Sequence, residues 1–333
     1  MCTRALWSSG GDPGKGIVVV GRNMDWFEDT QTDLWALPRG IERNGMTTGD
    51  TVRWKARYGS VVASMYGAMT TDGMNERGLA VNGLYLAETD YGERDDSRPG
   101  LAMTISLQFF LDSFATVADL VEWTSGSGVQ ICPSLLGSSG KPGTGHISAA
   151  DASGDSAIIE FIEGRAMVYH GREYAVMTNS PPFDEQLRRL ERFTGFGGDE
   201  PLPGTTDAAD RFVRAAYYTA HLPSTDEARL AIASVMSVMR NASAPFGTAD
   251  PARPNVSTTR WRTVADLTDR TYFFESTVSP NVIWLRLDGL DLGKGAKVRK
   301  LDLVRHPDRV GDVTRSFRPA RPFRFLPPGG TAS

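Results

Sequence analysis

Cysteine is nearly absent from this chain: Cys2 and Cys132 are the only two among 333 residues. Two thiols so far apart in sequence make no disulfide framework and read as free, so a packed core has to supply the stability. Histidine is almost as scarce, and His146, His170, His221 and His306 show none of the short His/Cys/Asp spacings of a metal site. A zinc or iron enzyme is not indicated, and no cofactor is implied. No uncharged apolar run approaches the ~20 residues that cross a bilayer, and no signal-type apolar core follows Arg4. Positive charge is not in excess, since the formal net charge is −4. Without a dense basic tract carrying interleaved aromatics, nucleic acid is not an expected partner. Neither internal repeats nor low-complexity segments stand out.

What is present is the composition of a soluble globular chain, 40% apolar and 23% charged, which as written reads as cytoplasmic. Alternating and β-branched stretches predict strands at 51–66, 78–86 and 145–164, the last broken by a turn at "ASGD". The segment 165–181 reads as a further short hairpin, and strands return at 259–276, in "NVIWLRLDGL" and in "KVRKLDL". Apolar periodicity predicts helices over 103–124, 183–193, 206–222 and 224–241, the last opening with Ser224 and Glu227 at capping-box spacing. Strand blocks enclose a helical block without a linker, which reads as one α+β domain over residues 1–333.

Cys2 follows directly on Met1. A small second residue permits removal of Met1, which would leave a residue carrying both a thiol and a free α-amino group. The amine, with a pKa of about 8, can take the thiol proton and return it to a leaving group, so nucleophile and base would be one residue. Position alone equally fits a frayed terminus. The segment "CTRALW", the turn-rich "SSGGDPGKG" and the run "IVVVGRNMD" read as a hairpin with its loop near Asp12 or Pro13. Counting outward then pairs Cys2 with a residue between Arg22 and Met24. Arg22 would favour a thiolate and Asp25 would orient the amine, although an Arg–Asp pair at a strand end is also common on surfaces. Oxyanion donors are sought in Asn82 and Asn179, which serve equally well as structural residues of strand and turn. Arg211 and Arg214 lie on one predicted helix, where a solvated face is the default. Met24, Trp26, Met65 and Tyr85, with Tyr66, Phe161 and Phe183, are candidates to wall an apolar acyl pocket, or simply to fill core.

Taken in order, "MCTR", "GRNMDW", "TTDGMNERGLAVNGL", "VMTNSPPFD", "LPGTTDAADRFVRA" and "STTRWRTVADLTDRTYFFES" resemble the choloylglycine hydrolase family of N-terminal nucleophile hydrolases. The likeness runs from residue 2 to about residue 325, and six motifs in series are far more specific than any one. It implies an αββα four-layer sandwich with two mainly antiparallel sheets, in which Cys2, exposed by loss of Met1, hydrolyses a linear amide through a thioester. It further implies that Arg22 and Asp25 flank Cys2, that Asn82 and Asn179 form the oxyanion site, and that Arg211 is the remaining active-site arginine, with Arg214 its rival. The short interval between "NSPPFDEQ" and "LPG" is more similar to the penicillin V acylase branch associated with Gram-negative bacteria, some of which also cleave N-acyl homoserine lactones. Tyr85 stands near where that branch implies a pocket tryptophan. The resemblance implies a small-molecule acyl amide as partner, a homotetramer, although the short assembly loop departs from the relatives that suggest it, and a periplasmic or secreted location where a signal peptide has been removed. Conjugated bile salt hydrolysis and biosynthetic acyl transfer are the alternatives on the same thioester.

Overall fold

A computed structural model describes residues 2–10, 16–136, 141–247, 257–279 and 281–330. The expected hairpin loop centre at Asp12 or Pro13 lies outside the described residues, but the register it implies is formed. Strand β1 (Cys2–Ser8) pairs antiparallel with β2 (Val18–Trp26), and Cys2 sits opposite Met24.

Two large sheets carry the fold. Further strands are β3 (Leu34–Leu37), β4 (Ser60–Met65), β5 (Met69–Asn75), β6 (Ala80–Leu84), β7 (His146–Ala150), β8 (Ser156–Ile162), β9 (Arg165–His170) and β10 (Val176–Met177). After the helical block come β11 (Thr258–Asp266), β12 (Thr271–Ser276), β13 (Val282–Arg286), β14 (Arg299–Leu301), β15 (Gly311–Asp312) and β16 (Arg318–Pro319). A seven-stranded sheet runs β10–β1–β2–β11–β12–β13–β15 and a nine-stranded sheet runs β9–β8–β7–β6–β5–β4–β3–β14–β16. Both are antiparallel apart from the β13–β15 pair. The helices are α1 (Met103–Ser113), α2 (Val117–Gly126), α3 (Phe183–Leu190), α4 (Ala208–Ala220) and α5 (Ala228–Asn241).

Helices α4 and α5 cover the outer face of the seven-stranded sheet, and α1 and α2 cover the nine-stranded one. The inner faces meet in a core that includes Val18, Val20, Met74, Ile158, Phe274 and Leu285. This is the expected four-layer αββα sandwich: alternation along each strand gives two apolar faces, one for the facing sheet and one for the helices. Close approach is marked by glycine. A Cβ on Gly21 would lie 2.6 Å from Met239 Cγ in α5, and one on Gly73 would lie 2.9 Å from Leu111 Cδ1 in α1.

Several local expectations are corrected. The helix predicted over 103–124 is two helices, because Phe114 is extended and Thr116 caps α2 by accepting the Asp119 N–H. The 165–181 segment is not a hairpin. Its first half, β9, extends the nine-stranded sheet, while β10 crosses to pair with β1, held by the buried Arg4 guanidinium, which donates to the Tyr174 and Ala175 carbonyls at 3.0 and 2.9 Å. Helix α5 starts at Ala228 without a side-chain cap, so the Ser224–Glu227 box does not form. The stretch 51–66 is split between Arg53–Lys55 and β4. Strand β5 was not expected, since "MTTDGMN" is rich in polar residues. They are buried and hydrogen-bonded: Asn75 donates to the Leu111 and Phe114 carbonyls and Thr71 to that of Ala63.

Candidate active site

The period-2 alternation of β1 and β2 sorts the first candidates onto two faces. Cys2, Arg22 and Met24 point between the sheets, whereas Thr3, Asn23 and Asp25 point toward the helices. On the inner side Arg22 Nη2 approaches Cys2 Sγ at 3.6 Å and Met24 Sδ at 3.3 Å, and donates to the Gly83 carbonyl at 2.9 Å. Its guanidinium lies 4.5 Å from the ring centre of Trp261. Arg22 thus places a buried cation against the sulfur.

On the outer side Asp25 Oδ1 accepts from Thr259 Oγ1 at 2.6 Å, and Oδ2 pairs with Arg211 Nη1 at 3.2 Å. Arg211 reaches in from the first turn of α4 and is wholly buried. Its fork donates to the Cys2 carbonyl at 2.7 Å, to Thr3 Oγ1, to Asn179 Oδ1 at 3.0 Å and, through Nε, to the Thr206 carbonyl at 2.9 Å. Burial pulls this guanidinium below its usual value, and Asp25 opposes the shift. Arg214, one turn on, instead donates to the carbonyls of Pro203 and Thr205. Of the two rivals, only Arg211 touches Cys2.

Asn179 follows β10, the strand that pairs with β1, and so stands beside the chain end. Its Oδ1 accepts from the Cys2 backbone nitrogen and from Arg211, which fixes the amide orientation and sends Nδ2 to the Tyr85 carbonyl at 2.6 Å. Asn82 corrects the expectation of an oxyanion donor. Alternation along β6 turns its side chain between the sheets, where Nδ2 donates to Asp72 Oδ2 at 2.7 Å and Oδ1 accepts from Ser148 Oγ at 3.3 Å. Both polar ends bond beneath the pocket, and Asn82 does not line it.

Cys2 opens onto a cleft of about 640 Å³ including its mouth. Met24, Trp26, Met65 and Tyr85 line it as expected, together with residues the sequence did not single out, among them Met69, Leu107 and Ile131. Phe161 is also in the wall, whereas Phe183 packs in the inter-sheet core against Tyr169 and Phe212. Trp26 lies 6.2 Å from Tyr85, ring centre to ring centre, and donates from Nε1 to Tyr66 Oη at 2.8 Å. Tyr66 in turn donates to Glu28, so the indole is held at the mouth by a short polar chain. His146, also in the wall, is buried and bonded to Glu160 at 2.9 Å and to the Thr178 carbonyl at 2.8 Å, next to Asn179. Thr3 and Thr259 were missed as well. Their only sequence signal is that strand alternation puts them on the Asp25 face.

The residues gathered here are a thiol and backbone nitrogen on one residue, a cation on the sulfur, an amide on the nitrogen, and an apolar cleft in front. Residues 2–305 match the family described as linear amide C–N hydrolases, choloylglycine hydrolase family. The chain belongs to this family. It is 39% identical to a penicillin V acylase of Pectobacterium atrosepticum over 97% of this chain and 92% of that one. A conjugated bile acid hydrolase of Lactobacillus gasseri is 24% identical over 72% of this chain and 81% of its own length. The solved structure of a penicillin V acylase from Agrobacterium tumefaciens superposes with a TM-score of 0.89 at 45% identity, covering 98% of this chain and 100% of that one. A conjugated bile acid hydrolase structure from Clostridium perfringens, 18% identical with a TM-score of 0.74 over 90% of this chain and 96% of that one, shares the fold. The chain is thus an amide hydrolase built on the N-terminal nucleophile sandwich. Among the described residues no helix is long and apolar enough to cross a membrane, and no group of three or more His, Cys, Asp or Glu side chains is placed to hold a metal.

Proposed function

We propose that the mature chain starts at Cys2 and that its thiolate cleaves linear amides with an apolar acyl group, penicillin V and N-acyl homoserine lactones being the leading substrates. One observation carries this reading: Cys2 Sγ faces the apolar cleft beside Arg22, while the nitrogen of the same residue is held by Asn179. Sulfur attacks the acyl carbonyl carbon, forming a C–S bond and an oxyanion. The Asn179 amide donates one N–H to Tyr85, and its second N–H is the donor we assign to that oxyanion. Collapse breaks the C–N bond as the Cys2 ammonium protonates the leaving nitrogen. The freed amine then takes a proton from water, hydroxide adds to the thioester, and the C–S bond breaks to release acid and thiolate. Arg211 holds the Cys2 carbonyl and Asn179, and Asp25 holds Arg211, so in this reading both are positioning residues.

The lining is dominated by Met, Leu, Ile and aromatic side chains, which suits a hydrocarbon or aryl acyl group next to a compact polar amine. Similarity to two penicillin V acylases over nearly the whole chain supports the first substrate class over bile salts. We extend the reading to a homotetramer by family likeness. The test is kcat/KM for penicillin V, several acyl homoserine lactones and glycocholate, on protein whose mass shows it begins at Cys2. Turnover that survives with Met1 retained, or in Cys2→Ser, overturns the nucleophile assignment. Preference for glycocholate overturns the substrate class, and amide products formed with excess amine acceptor identify an acyltransferase.

A further inference from the structure

Beneath the cleft lies a buried polar group that the proposed chemistry does not use. Asp72, in the middle of β5, is almost completely buried and projects from the nine-stranded sheet toward the seven-stranded one. Tyr272 donates to its Oδ1, and Asn82 Nδ2 and Thr263 Oγ1 donate to its Oδ2 at 2.7 and 3.3 Å. Three donors converging on one carboxyl is the environment of a carboxylate. Two of its neighbours bracket Arg22. Thr263 is the direct cross-strand partner of Arg22 in the β2–β11 ladder, which places the two side chains next to each other on the inner face. Gly83, adjacent to Asn82, accepts the hydrogen bond from Arg22 Nη2. The chain of contacts therefore runs from Asp72 through Thr263 and Asn82–Gly83 to Arg22 and on to Cys2 Sγ.

We infer that Asp72 is the counter-charge of Arg22: by holding the guanidinium in place and offsetting its field, it sets the ionisation and reactivity of the Cys2 thiol. Burial raises the Asp72 carboxyl above its usual value, and Arg22 is the largest influence acting the other way. The remaining charged or titratable groups around Cys2 are Arg22 on β2, Arg4 on β1, Tyr272 on β12, Tyr85 after β6, the His146–Glu160 pair on β7 and β8, and the Cys2 nitrogen itself, with Asp25 on the outer face and Arg211 from α4 paired to each other. Among these carboxyls, Asp72 is the one whose bonding partners also adjoin Arg22, whereas Glu160 is taken by His146 and by the Phe183 N–H. Asn82, whose oxyanion role is corrected above, acquires a part here as one of the donors that orient Asp72.

This inference rests on the proposed role of Cys2, and its test does not depend on amide turnover. Protein starting at Cys2 is alkylated with iodoacetamide across a pH series, and modification of the N-terminal peptide is followed by mass spectrometry, which separates Cys2 from Cys132. Asp72→Asn removes the anion and leaves Arg22 to act unopposed, so the midpoint of Cys2 alkylation is expected about one unit lower than in wild type. Because nucleophilicity falls as a thiol becomes more acidic, kcat is expected to drop while KM changes little. Tyr272→Phe removes a single donor and is expected to shift the midpoint in the same direction by less. This variant carries the test where Asp72→Asn fails to fold. Asp72→Glu, which keeps the charge, is expected to return the midpoint toward wild type. A midpoint that stays put or moves upward in the folded variants overturns the inference and leaves Asp72 as a strut between the sheets.

Discussion

Arg211 offers the sharpest trial of how this site is held together. Its guanidinium and the Asp25 carboxylate are both fully buried with Nη1 and Oδ2 3.2 Å apart, which at an effective dielectric of about 20 is an attraction of about 5 kcal/mol. Much of that offsets the desolvation of two ions, so the pair by itself adds little, but losing one partner strands the other. Arg211→Met takes the guanidinium away from the buried Asp25 carboxyl and removes its hydrogen bonds to the Cys2 carbonyl and Asn179 Oδ1. The expected cost is about 3–5 kcal/mol, a large part of the roughly 5–15 kcal/mol that stabilises a typical domain. Adding Asp25→Asn removes the buried charge, and the double variant should recover about 1–3 kcal/mol relative to the sum of the single ones. Arg211→Lys separates positioning from charge. An ammonium keeps the ion pair but cannot span the Thr206 carbonyl, the Cys2 carbonyl and Asn179 together. It should therefore stay within about 2 kcal/mol of wild type in stability while kcat falls about 100-fold. Urea midpoints at constant m-value give the stabilities, and steady-state kinetics give kcat. Additive single and double variants, or an Arg211→Lys enzyme with wild-type kcat, would refute the reasoning.

Three further outcomes follow from named contacts. Asn179→Ala should lower kcat by about 10²–10³-fold, whereas Asn82→Ala, whose amide serves Asp72, should cost about 1–3 kcal/mol of stability with a much smaller kinetic effect; amidase assays beside urea unfolding distinguish them. Gly21→Ala should destabilise by about 1–3 kcal/mol in thermal unfolding, because the new Cβ meets Met239 Cγ at 2.6 Å and Val235 Cγ1 at 2.9 Å. Burial raises the Asp266 carboxyl above its usual 3.8. The folded state therefore binds its proton more tightly than the unfolded chain, and stability from this group is full below 3.8 and lost as the pH rises through the raised value. Asp266→Asn keeps an acceptor for the Thr268 and Asp269 N–H groups, so its deficit against wild type in urea unfolding should be larger near pH 3.5 than near pH 7.

How much of this was written in the chain depends on how far apart the partners lie. The β1–β2 hairpin is local, and counting from its turn places Cys2 against a residue between Arg22 and Met24, of which the structure selects Met24. Strand alternation then requires that Arg22 and Asp25, three residues apart, face opposite sides. The α+β character follows from apolar alternation in the strands and apolar stripes in the helices, whereas the αββα layering was implied by the ordered motif likeness. Other features were hidden because long-range contacts overrode local pattern. Strand β5 carries Thr, Asp and Asn in a buried central position, which no propensity favours and only its hydrogen-bonding partners explain. Segment 165–181 looked like a hairpin because nothing nearby announces that Arg4 will draw Tyr174 and Ala175 across to the other sheet.

The sequence by itself determined the nucleophile candidate and its charged neighbours, because both depend on spacing along two adjoining strands, while the layer architecture came from the ordered motif likeness. Only the tertiary structure decided between Arg211 and Arg214, since both lie on one helix and just one reaches the Cys2 carbonyl 209 residues away. It alone also separated Asn179 from Asn82. Residue type made them equal, but one follows the strand beside Cys2, and the other turns inward to a carboxylate that no motif had marked.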